Sequence, residues 1–171
     1  DDGLATGQSN DEVGAEFLAL VGGGVVLDFE IAVLLHAGEF DDAAGWEVVH
    51  RGEWLRLPVG HEVHRTNQEG QSFHVVAKGR LSVSRDGQEV ATLGAGTSVG
   101  EMAYLAPSPA LRIHSADVIV AEPATTISFT PQMLEQLSLG TRRLFDTAFI
   151  RVLVRRLHAA HEALAHPRRI L

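Results

Sequence analysis

An acidic residue directly follows a glycine at the start of a short predicted helix. The segment reads Gly100-Glu101-Met102-Ala103. Backbone N–H groups at a helix start lack intrahelical partners and favour a bound anion, and a glycine lets a ligand approach the backbone closely. A carboxylate repels a phosphate, but it accepts hydrogen bonds from sugar hydroxyls. The combination therefore indicates a site for a sugar phosphate.

Two side chains that can carry positive charge follow in the same region. If residues 110–116 form an extended strand, Ala110, Arg112, His114 and Ala116 point to one face. Arginine is always charged and grips two phosphate oxygens, whereas a free histidine titrates near pH 6.5. We therefore expect Arg112 and His114 to face the same pocket.

The pattern Gly100-Glu101-Met102-Ala103, followed by His114-Ser115-Ala116, resembles the phosphate-binding cassette of the cyclic nucleotide-binding domain family. The resemblance extends over about residues 29–164, through Gly52-Glu53, Pro58-Val59-Gly60, Phe73-His74-Val75-Val76, Lys78-Gly79 and Leu93-Gly94-Ala95-Gly96. It implies a mainly β fold, in which a jelly-roll-like β-roll carries N-terminal helices and a C-terminal helical pair. It also implies a non-enzymatic sensor of cyclic AMP or cyclic GMP that moves its C-terminal helix.

The resemblance assigns roles to the cassette. Glu101 would accept a hydrogen bond from the ribose, while the backbone near Met102-Ala103 and the hydroxyl of Ser115 would bind the phosphate. The arginine of the family pattern is absent, because matching Ser115 leaves His114 in its place, so the resemblance implies that Arg112 or His114 would supply the positive charge for the phosphate. Three outcomes stay open: a cyclic mononucleotide, another ligand such as cyclic di-GMP, or a degenerate domain that serves as a dimerisation or interaction module.

Hydrophobic periodicity predicts helices before the roll and strands within it. One helix is expected over 28–37 and a second from Asp41 or Asp42 to Gly52. The period then changes to two, with Asp86-Gly87 as a hairpin turn. Many short strands with regular turns are typical of a sandwich or small barrel. The predicted strands are 54–57, 62–65, 73–77, 81–84, 89–93, 115–120 and 125–129.

Two helices are predicted after the roll. Thr130-Pro131 begins one that reaches about Ser138, and a longer one runs from Thr141 to about Ala165. Apolar residues of the longer helix are spaced three and four apart, which indicates either packing on the roll or a parallel contact between two copies. This seam comprises Ile150, Leu153, Leu157, Ala160 and Leu164. Arg155, Arg156 and His158 on the same helix are candidates to cover a bound base.

Composition limits the class of protein. The 171 residues suit one folded unit, which we divide into a flexible segment 1–27, a roll with its helices at 28–138 containing the cassette 96–120, and a C-terminal helix and tail at 139–171. A net charge of −8 argues against binding nucleic acid or anionic membranes, and without cysteine there are no disulfides. The apolar run 17–27 is too short to span a bilayer, so a cytoplasmic location is expected.

The ends of the chain carry two further expectations. The sequence does not begin with methionine, which predicts a processed chain or a piece of a longer protein. The residues after the roll leave no room for a helix-turn-helix domain. We therefore expect no sequence-specific DNA binding from this chain as given, although an attached or separate output domain remains open.

A metal site or a catalytic site is the alternative to a nucleotide site. Histidine and glutamate are common metal ligands, and two groups of them deserve consideration. However, His61 and His64 are three apart, so they diverge on a strand. No serine, histidine and aspartate grouping suits a nucleophile. We therefore expect no metal, no cofactor and no enzyme activity. The candidate groups are His61, Glu62, His64, Glu69 and His74, and on the long helix His158, His161 and Glu162.

Overall fold

A computed structural model describes residues 42–165 of the chain. The predicted helix at 28–37, the segment 1–27 and the tail beyond residue 165 lie outside the described residues. The strands are β1 (Glu53–Leu57), β2 (Glu62–His64), β3 (Phe73–Arg85), β4 (Gln88–Leu93), β5 (Ser98–Val99) and β6 (Asp117–Phe129). The helices are α1 (Asp42–Arg51), α2 (Glu101–Tyr104), α3 (Pro131–Glu135) and α4 (Leu139–Ala165), with a 3-10 turn at Pro109–Leu111.

The six strands form one antiparallel sheet that is organised around its two longest members. β6 pairs with β1, β2 and β3, and β3 also pairs with β4 and β5. The expected antiparallel sheet with flanking helices is confirmed for the described residues, but helices contribute at least as many residues as strands there, so this part of the chain is not mainly β. None of the helices in this part of the chain is long and apolar enough to cross a membrane.

The predicted strands 73–77 and 81–84 are one continuous strand, and so are the predicted strands 115–120 and 125–129. Gly79 had indicated a corner between the first two. It has a φ of +85°, and a Cβ there would lie 2.2 Å from the carbonyl oxygen of Pro123. The β3–β6 register shifts on both sides of this glycine. The chain therefore bends at Gly79 without leaving the sheet, which curves the sheet into a roll.

The predicted hairpin at Asp86-Gly87 is confirmed. Arg85 pairs with Gln88, and the two turn residues have φ values of 52° and 77°. Positive φ at both central positions is the geometry whose twist matches that of paired strands. This local signal therefore set the register of the pairs nearest the turn, Arg85–Gln88 and Ser84–Glu89, beyond which the β3–β4 register shifts.

Two apolar cores pack against the two faces of the curved sheet, one inside the roll and one outside it. One fills its interior, with Leu81, Val118 and Val120 almost fully buried. The other joins the outer face to α4 through the stacked and edge-on rings of four phenylalanines. These are Phe73, Phe129, Phe145 and Phe149. Burial of these rings holds the first half of α4 against the roll.

Hydrogen bonds set the beginning of the C-terminal helices. Thr130 caps α3 by accepting from the N–H of Met133 at 3.3 Å, with Pro131 at the first helical position, as predicted. The long helix begins at Leu139 rather than at Thr141. Glu47 of α1 accepts from the N–H of Ser138 and from the hydroxyl of Thr141, both at 2.6 Å. These contacts tie α1 to the start of α4.

Candidate functional site

A cavity of about 560 Å³ lies between the roll, the cassette and α4. Its volume falls within the range of about 300–1,000 Å³ that is common for small-ligand sites. Strands of the roll contribute apolar walls through Val83, Leu93 and Val118, and α4 contributes Leu153 and Arg156. Seven of the predicted site residues line it: Gly100, Glu101, Met102, Ala103, His114, Ser115 and Ala116.

Arg112 is exposed and lies outside the residues that line the cavity. Residues Pro109–Leu111 form a 3-10 turn, and Arg112 follows it with φ −78° and ψ 44°. The expectation that Ala110, Arg112, His114 and Ala116 share one face of an extended strand is therefore wrong. A turn precedes Arg112, so the alternation of side chains that the expectation required does not exist there.

His114 is held in the cavity wall by backbone pairing with the segment that follows β2. Its carbonyl accepts from the N–H of Asn67 and its N–H donates to the carbonyl of Gln68, both at 2.9 Å. One residue pair further along, the N–H of Gly70 donates to the carbonyl of Arg112 at 2.7 Å. This short ladder positions the His114 side chain although the segment is not part of a named strand.

Glu101 is the first residue of α2 and is completely buried. Its carboxylate forms an ion pair with the guanidinium of Arg156 on α4. Arg156 also donates to the carbonyl of Ser98 at 3.3 Å. A carboxylate is rarely buried without a charged or hydrogen-bonding partner, because removal from water disfavours its ionised form. The pair therefore explains how an acid can occupy this wall.

The sequence identified Arg156 only as one of three residues that were candidates to cover a base. No spacing rule joins it to Glu101, since 55 residues separate the two. The helical repeat alone also failed to show that Leu153 faces the cavity. The available signal was helical spacing: Arg156 lies three residues after Leu153 and four before Ala160, about one turn from each, whereas Arg155 lies two residues from Leu153 and Leu157.

Gly100 is required by its backbone conformation and by its surroundings. It has a φ of +89°, and a Cβ there would lie 2.7 Å from Nε2 of His64 and 2.9 Å from the carbonyl oxygen of Ser72. Glycine reaches this conformation without steric cost. The predicted close approach at Gly100 is thus made by a histidine of the protein itself.

Three histidine rings meet beside the cassette. The His64 and His114 rings stack with centroids 3.9 Å apart, and His74 lies edge-on to His64 at 5.2 Å. Burial, followed by the nearby His114 and His74, lowers the pKa of His64 to about 3. Burial, followed by His114 and His61, lowers the pKa of His74 to about 4. Burial also lowers the pKa of His114. All three are therefore neutral near pH 7.

The candidate metal ligands form two groups: His61, Glu62, His64, Glu69 and His74, and on the long helix His158, His161 and Glu162. Within residues 42–165, no three histidine, aspartate or glutamate side chains are arranged to hold one metal ion. His64 and His74 meet edge to face, and His64 stacks on His114. Rings in contact through their faces do not direct their nitrogens at a common point.

Similar solved structures share this fold. A catabolite activator protein from Thermus thermophilus is 22% identical, with a TM-score of 0.64 over 77% of this chain and 61% of that one. A PKAR CBD2 domain bound to Sp-2Cl-cAMPS is 14% identical, with a TM-score of 0.63 over 93% and 94% of the two chains. A cyclic nucleotide-binding domain from Methylobacillus flagellatus is 18% identical, with a TM-score of 0.64 over 96% and 86%.

At these identities the similarity establishes the fold alone. This chain spans about three-fifths of the Thermus protein that it matches. The sequence profile described as the cyclic nucleotide-binding domain provides a separate line of evidence, because it matches residues 54–139, half of the chain. The matched region contains the whole roll and the cassette with Glu101 and His114. The chain therefore belongs to the cyclic nucleotide-binding domain family, whose members are typically non-catalytic regulatory domains.

Proposed function

We propose that this domain is a sensor that binds a cyclic nucleotide, cyclic AMP or cyclic GMP, in the cavity and transmits binding through α4. The observation that carries the proposal is the ion pair between Glu101 in the cavity wall and Arg156 on α4. Glu101 belongs to the cassette and Arg156 to the helix that leaves the roll. A ligand that contacts Glu101 therefore acts directly on α4.

The walls of the cavity suit the parts of a nucleotide. The apolar side chains of Val83, Leu93 and Val118 offer a surface for a base. Glu101 offers a buried acceptor for a ribose hydroxyl, and a hydrogen bond to a charged group is worth about 1.5–3 kcal/mol. Ser115, at the edge of the cavity, adds a hydroxyl.

Ligand binding would be coupled to the position of α4 because the ligand and Arg156 compete for the same carboxylate, that of Glu101. A ribose hydroxyl and the guanidinium of Arg156 both donate to this carboxylate, so binding changes the contact that holds α4 near the cassette. Leu153, one turn earlier on α4, also lines the cavity and would contact the ligand. A ligand shifts α4 only to the extent that it binds the two positions of the helix with different affinity.

Calorimetric titration with cyclic AMP, cyclic GMP and cyclic di-GMP at pH 6 and pH 8 tests the proposal. We expect micromolar binding of one cyclic mononucleotide. Glu101→Gln should weaken it by about 1.5–3 kcal/mol, roughly 10- to 150-fold. Glu122→Gln is the matched control, because Glu122 is an exposed glutamate that pairs with Arg80 on the surface. Binding of cyclic di-GMP alone would change the ligand class, and unaltered affinity in Glu101→Gln would remove Glu101 as the ribose acceptor.

A dimerisation module is the second candidate function. Ile150, Val154 and Leu157 are exposed by 62%, 53% and 57% and lie on one side of α4. The predicted seam contained Ile150 and Leu157, but it also contained Leu153, which is half-buried in the cavity wall. We propose that a contact between two copies uses Ile150, Val154 and Leu157. The absence of binding by every nucleotide tested would favour this function alone.

A further inference from the structure

The His64 and His114 rings, stacked at 3.9 Å with their planes at 30°, both lie in the wall of the cavity. His64 is only 7% exposed, and its Nε2 is a buried atom without a hydrogen-bond partner among the described residues. Buried polar atoms almost always have partners. Nε2 of His64 therefore leaves the stacked pair with one hydrogen-bonding position that the described residues do not fill.

A glycine lies in close contact with each of the two histidine rings. A Cβ at Gly70 would lie 2.8 Å from Cε1 of His114, and a Cβ at Gly100 would lie 2.7 Å from Nε2 of His64. A larger residue at Gly100 would clash with the His64 ring, and one at Gly70 would clash with Cβ of Ala103, at 2.4 Å, as well as with the His114 ring. Two backbone positions on different segments are thus fitted to the stacked arrangement, which argues that the pair is a built feature of the cavity.

The phosphodiester of a cyclic nucleotide is an anion, so the cavity would need a positively charged group to bind it. Among its lining residues in the described chain, Arg156 is the one side chain with a permanent positive charge, and it is engaged by Glu101. Arg112 lies outside the lining. The side chains that can still become positive in this wall are the two stacked histidines.

We propose that the stacked His64–His114 pair is the anion site of the cavity and binds the phosphodiester of a cyclic nucleotide by taking up one proton. This inference rests on the proposed function, since it assigns residues of the same cavity. The proton comes from solvent and protonates one imidazole, and no covalent bond to the ligand forms. The affinity for a cyclic nucleotide would then depend on pH.

The energetic argument has two parts. In the empty cavity burial keeps the pKa of both histidines low, so the pair is neutral near pH 7. A phosphodiester anion beside the rings favours the imidazolium and raises that pKa. One proton is expected rather than two, because two positive rings 3.9 Å apart repel each other. The neutral ring instead presents its π face to the charged one.

Other ionisable groups surround the pair but do not replace it. His74 on β3 is nearest, with its own pKa lowered to about 4 by burial and then by His114 and His61. It is therefore neutral in the same pH range. Glu101 of α2 and Arg156 of α4 engage each other. The remaining groups on neighbouring segments are His61, Arg65, Glu69, Arg85, Arg112 and Asp117.

Calorimetry of cyclic AMP and cyclic GMP between pH 5.5 and 8.5, in two buffers with different heats of ionisation, measures proton uptake directly. We expect affinity to rise as the pH falls, by up to tenfold per unit, with uptake approaching one proton. His114→Gln, at a half-buried position, should weaken binding and abolish the uptake. His61→Gln, at an exposed position, is the matched control. Histidine Cε1–H chemical shifts of the wild-type protein, followed with and without nucleotide, require no variant.

The outcomes separate the two proposals. Binding that is independent of pH, without proton uptake, would overturn the anion site and leave the proposed function intact. Uptake that persists in His114→Gln would also overturn it. The absence of binding by either nucleotide at every pH would overturn both proposals. Uptake of one proton that disappears in His114→Gln, but not in His61→Gln, is the expected result.

Discussion

Arg156 on α4 forms an ion pair with the buried carboxylate of Glu101 on α2 and also donates to the carbonyl of Ser98. One guanidinium thus joins the cassette to the helix that leaves the roll. Glu101 is completely buried, whereas the Arg156 side chain keeps 37% of its surface exposed. The acid therefore depends on the pair more than the arginine does.

Removing Arg156 should destabilise the domain. Arg156→Ala leaves the buried Glu101 carboxylate without this partner, and a loss of about 1–3 kcal/mol in the free energy of unfolding is expected. Chemical denaturation measures it. Arg155→Ala is the matched control, because Arg155 precedes Arg156 on the same helix and is exposed. Equal stability of the two variants would show that the ion pair contributes nothing to the fold.

Gly100→Ala should be costly, whereas Gly94→Ala should be close to neutral. The Gly100 Cβ would contact Nε2 of His64 and the Ser72 carbonyl in a positive-φ conformation, while a Cβ at Gly94 meets nothing within 4 Å. A strained backbone position costs about 1–3 kcal/mol. Thermal unfolding of both variants checks the difference. A Gly100→Ala protein as stable as Gly94→Ala would contradict the close approach of His64.

The exposed side of α4 predicts a concentration-dependent dimer. Leu157→Lys should shift the protein to monomer, because burying an unpaired charge between two helices has a large free-energy cost. Analytical ultracentrifugation measures the shift. Val90→Lys on β4 is the matched control, since Val90 is a similarly exposed apolar residue at 61%. A wild-type protein that stays monomeric at all concentrations would reject the contact.

The buried histidines predict a loss of stability in mild acid. Burial lowers the pKa of His64 to about 3 and that of His74 to about 4, from an ordinary value of 6.5. Between these values the unfolded chain binds more protons than the folded one, so stability falls as the pH drops from about 6.5 towards 4. Two such groups give a slope of at most about 2.7 kcal/mol per pH unit.

Denaturation at pH 7.5, 6.5, 5.5 and 4.5 measures this slope. His158→Gln should leave it unchanged, because His158 is an exposed residue of α4. A saturating cyclic nucleotide should reduce the slope if the bound state takes up a proton. Stability that is constant down to pH 4.5 would show that the folded and unfolded chains bind protons equally, which would contradict the lowered pKa values of His64 and His74.

Local patterns were sufficient for much of the roll and the cassette. The Asp86-Gly87 turn and the cap at Thr130 depend on neighbours in sequence, so the sequence alone predicted them correctly. The strand pattern found most strands, but it divided β3 and β6 and missed β5. Seven of the proposed site residues line one cavity, because the cassette is nearly continuous in the chain. Arg112 is the exception, since a 3-10 turn before it removed the strand alternation on which its placement depended.

The contacts that distinguish this domain are decided by the tertiary structure. Glu101 and Arg156 are 55 residues apart, and His64 reaches His114 only because the segment after β2 pairs with the segment before β6. No rule that is based on neighbouring residues predicts contacts between residues so far apart in the sequence. By itself the sequence determined the hairpin turn at Asp86-Gly87, the helix cap at Thr130 and the positions of most strands. Folding of the sheet and the packing of α4 decided which charges meet, because contacts between distant segments follow from the register of whole elements.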